Sequence, residues 1–118
     1  MTTTASTVLA TDFDSILTTF SGQAFFVESN AVLYCKQIKG STMSLDQWLE
    51  LKKGHIVYTS RLMQLDEAHP NYPFHAEYSV ELPLDQARAM ADSWIAEAAL
   101  TETVRDLQRS LAAYRRDA

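Results

Sequence analysis

The chain has 118 residues, of which 47% are hydrophobic and 21% charged, a composition typical of one soluble globular domain. Its net charge of −5 argues against direct binding to nucleic-acid phosphates, which requires clustered lysine and arginine. The single cysteine excludes an intramolecular disulfide, and no apolar run approaches the ~20 residues of a membrane-spanning helix, so we expect a cytoplasmic protein that binds neither nucleic acid nor membrane.

The N-terminal third predicts a flexible start, a short helix and a hairpin. Residues 1–10 are rich in Thr, Ser and Ala and are expected to be flexible, ahead of a single α+β domain over 11–118. The stretch TDFDSILTTFSG predicts a helix, because its apolar residues recur at helical spacing and Gly22 can end it. QAFFVES and AVLYCKQIKG, rich in β-branched and aromatic residues, predict two strands joined by a tight turn.

The stretch STMSLDQWLELKKG predicts a second helix. Ser44 is a suitable N-cap, Leu45, Trp48 and Leu49 form an apolar stripe, and Gly54 follows the last turn. This interpretation assigns Trp48 to the core, as helical spacing also does for Trp94.

Two further strands are predicted after Gly54. HIVYTSRLMQL is the first, and a loop with two prolines leads to the second, FHAEYSVEL. In the second strand apolar residues alternate with a polar set, which consists of His75, Glu77, Ser79 and Glu81. Strict alternation is typical of an antiparallel strand with one buried face and one face in water.

Residues 84–118 predict a C-terminal helical segment. Its apolar spacing falls out of step near Thr101 and Thr103, which indicates either one bent helix or a second helix capped there. The whole chain thus predicts an α+β fold with a four-stranded antiparallel sheet. Its element order is helix, two strands, helix, two strands and a long helix, with the helices packed on one face.

No reactive constellation is evident. His69 and His75 do not have a recurring zinc-ligand spacing, and Cys35 lies in an apolar run where a small buried side chain is the usual role. Glu77 and Glu81 would stand roughly 13 Å apart along a strand, too far to share a proton. We therefore expect no metal, no cofactor and no enzymatic activity.

The remaining candidates are surface residues. Tyr72, on a proline-stiffened loop, is either a recognition anchor or packed beneath that loop, and His75, Glu77 and Glu81 form a polar strand face beside it. Leu107, Leu111 and Tyr114 are either a helix-pair interface or part of a short helix that folds back onto the sheet.

These features predict a small acidic protein-binding module that acts as an inhibitor or adaptor of a larger protein complex. Acidic proteins of this size are common among phage-encoded inhibitors of host defence systems, so an anti-defence role is one form of this hypothesis. One alternative is a homodimer formed through the C-terminal helix. Another is a small-ligand or enzymatic domain in which His75 and Glu77, with Arg61 and His55, hold an anionic ligand.

The segment YSVELPLDQARAMADSWIAEA resembles the final strand, Leu-Pro-Leu junction and closing helix of small type III secretion chaperones. The resemblance covers about a fifth of the chain and implies an acidic dimer with a sheet between helices. This sequence departs from the family in lacking its longer first helix and its third early strand.

Overall fold

The computed structural model describes residues 7–22, 24–37, 42–70, 72 and 75–117. Its elements, in chain order, are α1 (Ala10–Leu17), β1 (Phe25–Val27), β2 (Ala31–Gln37), β3 (Met43–Lys52), β4 (His55–Gln64), β5 (His75–Leu82) and α2 (Leu84–Asp117). The predicted α+β class, antiparallel sheet and long C-terminal helix are confirmed. The sheet has five strands rather than four, because the predicted second helix is a strand.

β3 replaces that helix because its apolar residues also fit a period of two. Met43, Leu45, Leu49 and Leu51 project to one side of the sheet, and β3 pairs with β2 over seven positions and with β4 over ten. Two flanking strands satisfy the backbone of β3 on both edges, and this tertiary pairing overrides local helix propensity.

The five strands form a meander in the order β1-β2-β3-β4-β5, with every neighbouring pair antiparallel. The β3–β4 connection is a two-residue turn, Lys53-Gly54, closed by the pair Lys52 and His55. Both turn residues have positive φ angles of 50° and 78°, as a type I′ hairpin turn requires. Gly54, predicted to end a helix, instead makes this turn possible.

Both helices pack on one face of the sheet, where the core lies. Trp94 of α2 is 4% exposed and contacts the rings of Tyr34 and Tyr58 from β2 and β4. Phe13 and Ile16 of α1 are each 1% exposed in the same core. The prediction of helices on one face and of Trp94 in the core is therefore confirmed.

The N-terminal segment is partly docked. Val8 is buried, and its N–H donates a 2.7 Å hydrogen bond to the carbonyl oxygen of Gly54. Val8 thus docks on the body just before α1 begins at Ala10, while residues 1–6 lie outside the described part.

α2 is one continuous helix of 34 residues. The hydroxyls of Thr101 and Thr103 donate to the carbonyls of Glu97 and Ala99 one turn earlier, so neither residue caps a new helix. The helix buries Ala87, Ala91, Trp94 and Ala98, but every side chain from Ala99 to Arg115 is exposed. We call residues 99–117 the C-terminal arm. Neither described helix has the combined length and apolar character needed to span a membrane.

Candidate functional site

The sheet face opposite the helices is a continuous surface made by alternate residues of all five strands. We call it the open face. Strand register brings its side chains into rows across the sheet, of which the longest consists of Phe26, Leu33, Trp48, Thr59 and Ser79. The next row consists of Cys35, Asp46, Arg61 and Glu77. The first row is thus apolar and aromatic at the β1–β3 end, and the second is charged.

Trp48, Arg61 and Glu77 form a cluster of direct side-chain contacts on the open face. The Arg61 guanidinium lies 5.1 Å from the centre of the Trp48 ring, within the range of a cation–π contact. Its Nε and Nη2 atoms donate hydrogen bonds of 3.0 and 2.8 Å to Oε1 of Glu77. The two partners hold the long Arg61 side chain in one orientation, which lowers the entropy lost on binding.

A shallow groove of about 300 Å³ lies beside this cluster. It is lined by Phe26, Ala31 and Leu33, with Asp46, Trp48 and Arg61 towards the charged row. Phe26 is 72% exposed, a large fraction for a phenylalanine on a strand. Glu28 also lines the groove, which therefore combines apolar walls with two carboxylates and one guanidinium, a combination that suits an apolar side chain flanked by polar groups.

Cys35 lies on the open face and is exposed, so its predicted burial is wrong. Its Sγ atom donates a 2.9 Å hydrogen bond to Oδ1 of Asp46. That hydrogen bond, with partial burial and the negative charge of Asp46, raises the pKa of the Cys35 thiol to about 11. The thiol is therefore protonated near neutral pH, which disfavours a nucleophilic role.

The predicted polar residues of β5 lie on the open face, as the alternation indicated. Glu77 contacts Arg61, and Glu81 has Oε2 4.0 Å from Nδ1 of His55. His75 is exposed beside Met63 of β4. The predicted grouping of His75, Glu77, Arg61 and His55 is thus divided between two separate pairs and His75, with the charge of Arg61 already matched by Glu77.

Tyr72 is 43% exposed in the segment between β4 and β5, and its N–H donates to the carbonyl of His69. Half exposure leaves its ring available to a partner, as a recognition anchor requires. Phe74, predicted to begin the core face of β5, lies outside the described residues.

A second cleft, of about 450 Å³, lies between β2 and the start of the arm. The Tyr34 hydroxyl donates a 2.9 Å hydrogen bond to Oε1 of Glu97, which also lies 2.5 Å from Nζ of Lys36. The Lys36 contact is the main cause that lowers the pKa of Glu97, whereas burial and the Glu97 contact raise the pKa of Tyr34 to about 12. Two of the four charged residues that line this cleft, Lys36 and Glu97, are therefore paired with each other.

Two observations on the described residues concern metal and ligand binding. No group of three or more potential metal ligands occurs among the described residues. Of the four residues named for the ligand-binding alternative, Arg61 lines the 300 Å³ groove, whereas His75, Glu77 and His55 line neither of the two clefts described above.

Phe26 and Trp48 are the site residues that the sequence interpretation missed. The sequence interpretation placed Phe26 in a strand but did not assign it to either face of the sheet. It placed Trp48 in the core stripe of a helix. The signal for Trp48 was the Lys53-Gly54 turn, because a hairpin there makes the preceding segment a strand. Period two then places Trp48 opposite Leu49, which is completely buried, and hence on the open face.

The predicted residues of the arm lie far from the open face. Leu107, Leu111 and Tyr114 are 65%, 49% and 72% exposed. They do not fold back onto the sheet, so the second interpretation of this segment is wrong, and the helix-pair interface stays a prediction.

Comparison with known proteins gives no match, since no protein-family model, no curated protein and no solved structure is significantly similar to this chain.

Proposed function

We propose that this protein is a small non-enzymatic binding module, an inhibitor or adaptor that recognises another protein through the open face of its sheet. The observation that carries the proposal is the Trp48–Arg61–Glu77 cluster beside the exposed Phe26 ring. Tryptophan and arginine are enriched among the residues that dominate binding free energy, particularly where they are held in place before binding.

The charge of the chain supports a protein partner. Asp46, Glu77 and Glu81 project from the open face, and the whole chain carries −5. An acidic rim around an aromatic centre favours a surface with exposed arginine or lysine and an apolar side chain that fits the groove. Tyr72 and His75 lie near one end of this face and are expected to contact the same partner at its margin.

The proposal is tested by affinity capture from the native host with quantitative mass spectrometry. The bait proteins are the wild type, Phe26→Ala, Arg61→Glu and the control Arg88→Ala. Phe26 and Arg61 are at least partly exposed, so these variants should fold, and Arg88 is an exposed cation on the helix side. We expect a stoichiometric partner that is retained by Arg88→Ala and reduced at least tenfold by the other two variants.

A partner captured equally by all four baits would contradict recognition through the open face. Capture of no protein by a folded, concentrated bait would contradict the binding-module function itself. A Tyr72→Ala, Glu77→Ala double variant then locates the margin of the interface, because only a partner that extends over β5 should respond to it.

The chaperone-like homodimer remains a second candidate for a specific reason. β3 supplies a third early strand, whose absence counted against that resemblance, although α1 has only eight residues. Loss of a bound secretion substrate on dilution to the monomer would favour this candidate over the inhibitor or adaptor.

A further inference from the structure

The outer side of α2, away from the sheet, carries a continuous stripe with two different halves. Residues at spacings of three and four along it are Gln86, Ala89, Ser93, Ala96, Leu100, Val104, Leu107, Leu111 and Tyr114. All nine are exposed. Apart from Gln86, the half over the body has small side chains, and the half on the arm has large apolar ones.

We infer that this stripe binds a second copy of the chain, with the two α2 helices antiparallel and the two-fold axis next to Leu100. In this register residue i lies level with residue 200 − i of the other copy. Leu111 then faces Ala89, Leu107 faces Ser93 and Val104 faces Ala96. Large side chains of each arm fill the space left by small side chains on the other body, which permits the close packing seen in helix pairs.

Charge favours the same arrangement. The chain up to Ala98 has twelve acidic and six basic residues, whereas the remainder has three acidic and four basic. An antiparallel pair places the basic arm of each copy along the acidic body of the other and opposes the two helix dipoles. A parallel pair would instead set Arg115 beside Arg115 of the other copy, where like charges repel.

The area is also sufficient. The five large side chains of the arm are 44% to 72% exposed. Together they leave on the order of 500 Å² of apolar surface per copy, close to the upper limit for a patch on a monomer. With the small residues of the body half, the interface approaches the roughly 800 Å² per partner of a stable complex. A second copy covers this area without any other partner.

This inference is independent of the proposed function, because Trp48 lies on the opposite side of the molecule from the outer stripe. Dimerisation through α2 leaves both open faces uncovered. Failure of one proposal therefore leaves the other intact.

The test is site-directed disulfide formation in the full chain on a Cys35→Ala background, combined with sedimentation of the wild type. Leu100→Cys should form a disulfide-linked dimer on mild oxidation, because the two copies meet at the axis. Leu107→Cys should not, because its two copies lie roughly 21 Å apart along the helices at 1.5 Å per residue. A mixture of Ser93→Cys and Leu107→Cys chains should form the mixed disulfide.

A matched pair of variants tests the packing. Ala89→Leu should raise the dimer dissociation constant at least tenfold, since the added side chain meets Leu111 of the other copy. Ala99→Leu is the control, because Ala99 is exposed but about 100° around the helix from the stripe. Both variants should keep the wild-type circular dichroism spectrum.

Two results would overturn the inference. The first is a wild-type chain that sediments as a monomer at a protein concentration about 100-fold above a micromolar dissociation constant. That result would exclude a second copy as the occupant of the stripe. The second is a Leu107→Cys chain that forms a disulfide-linked dimer as fast as the Leu100→Cys chain does. That result would exclude the antiparallel register and indicate a parallel pair or a different axis.

Discussion

The two halves of α2 share one backbone helix but differ in what holds them. Up to Ala98 the helix buries a small-residue and tryptophan face in the core, whereas every described side chain of the arm is exposed. The arm nevertheless carries a regular apolar stripe. The difference shows that packing on the sheet does not determine the length of α2, because a helix that served the core alone could end near Leu100.

The largest effect should come from Trp94→Ala. Trp94 is 4% exposed and packs against Phe20, Tyr34 and Tyr58. We expect a loss of about 3–5 kcal/mol in the free energy of unfolding, from the cavity and the lost transfer energy. Urea denaturation at sub-micromolar concentration measures it, with Leu107→Ala as the control that should change little. Equal losses of unfolding free energy in the two variants would show that the two halves of α2 contribute equally to stability.

A smaller effect is expected from Ala91→Leu. Ala91 is 1% exposed, so three extra carbon atoms must displace packed neighbours, at a cost of about 1–3 kcal/mol. Ala89→Leu makes the same change on the exposed side of the same turn and should leave folding of the monomer unaffected. Thermal unfolding at low protein concentration compares the two, and an unchanged midpoint for Ala91→Leu would refute the close packing described above.

Glu97 lies at the boundary between the halves, and Glu97→Gln should cost less than about 1 kcal/mol. Its side chain is 48% exposed, so solvent screens much of the attraction to Lys36. Because folding lowers its pKa, the carboxylate stabilises the fold above its usual pKa of 4.5 and loses that contribution as pH falls through the lowered value. Unfolding measured from pH 7 to pH 3 should show a smaller decline in the variant. An identical decline in the two chains would show that Glu97 does not contribute to the pH dependence of stability.

The smallest effect should follow removal of residues 101–118. None of the described side chains in this part is buried, so the free energy of unfolding of the monomer should change by less than about 0.5 kcal/mol. Chemical denaturation and amide hydrogen exchange of the truncated chain measure this. Unfolding of the truncated chain would show that the arm belongs to the fold rather than to assembly.

The parts predicted well from sequence are those in which one periodicity dominates. β5 alternates strictly over eight residues and was correctly predicted as a strand, and α2 has no glycine or proline. The predicted burial of the apolar face of β5 is wrong for Ala76 and Tyr78, which are both exposed. β3 was predicted wrongly because Leu45, Trp48 and Leu49 satisfy helical spacing as well as they satisfy part of a strand. The two strands that pair with the edges of β3 decide between these states, and the spacing of apolar residues within β3 does not include them.

Residues of the candidate site were predicted correctly only where the strand that carries them was recognised. His75, Glu77 and Glu81 were placed on the correct face because β5 was recognised, whereas Trp48 was missed because β3 was not. The contact of Arg61 with Trp48 depends on register across two strands, which neither strand's own residues specify.

The meander order of the sheet has a consequence for how the chain acquires its structure. Each strand pairs with its neighbour in sequence, so strand contacts close short loops and should form rapidly. During synthesis, all five strands precede α2, and the sheet can assemble while Trp94 is still within the ribosome. The apolar face of the sheet then remains exposed to water until α2 emerges. We expect nascent chains to be most prone to aggregate in the interval before α2 docks.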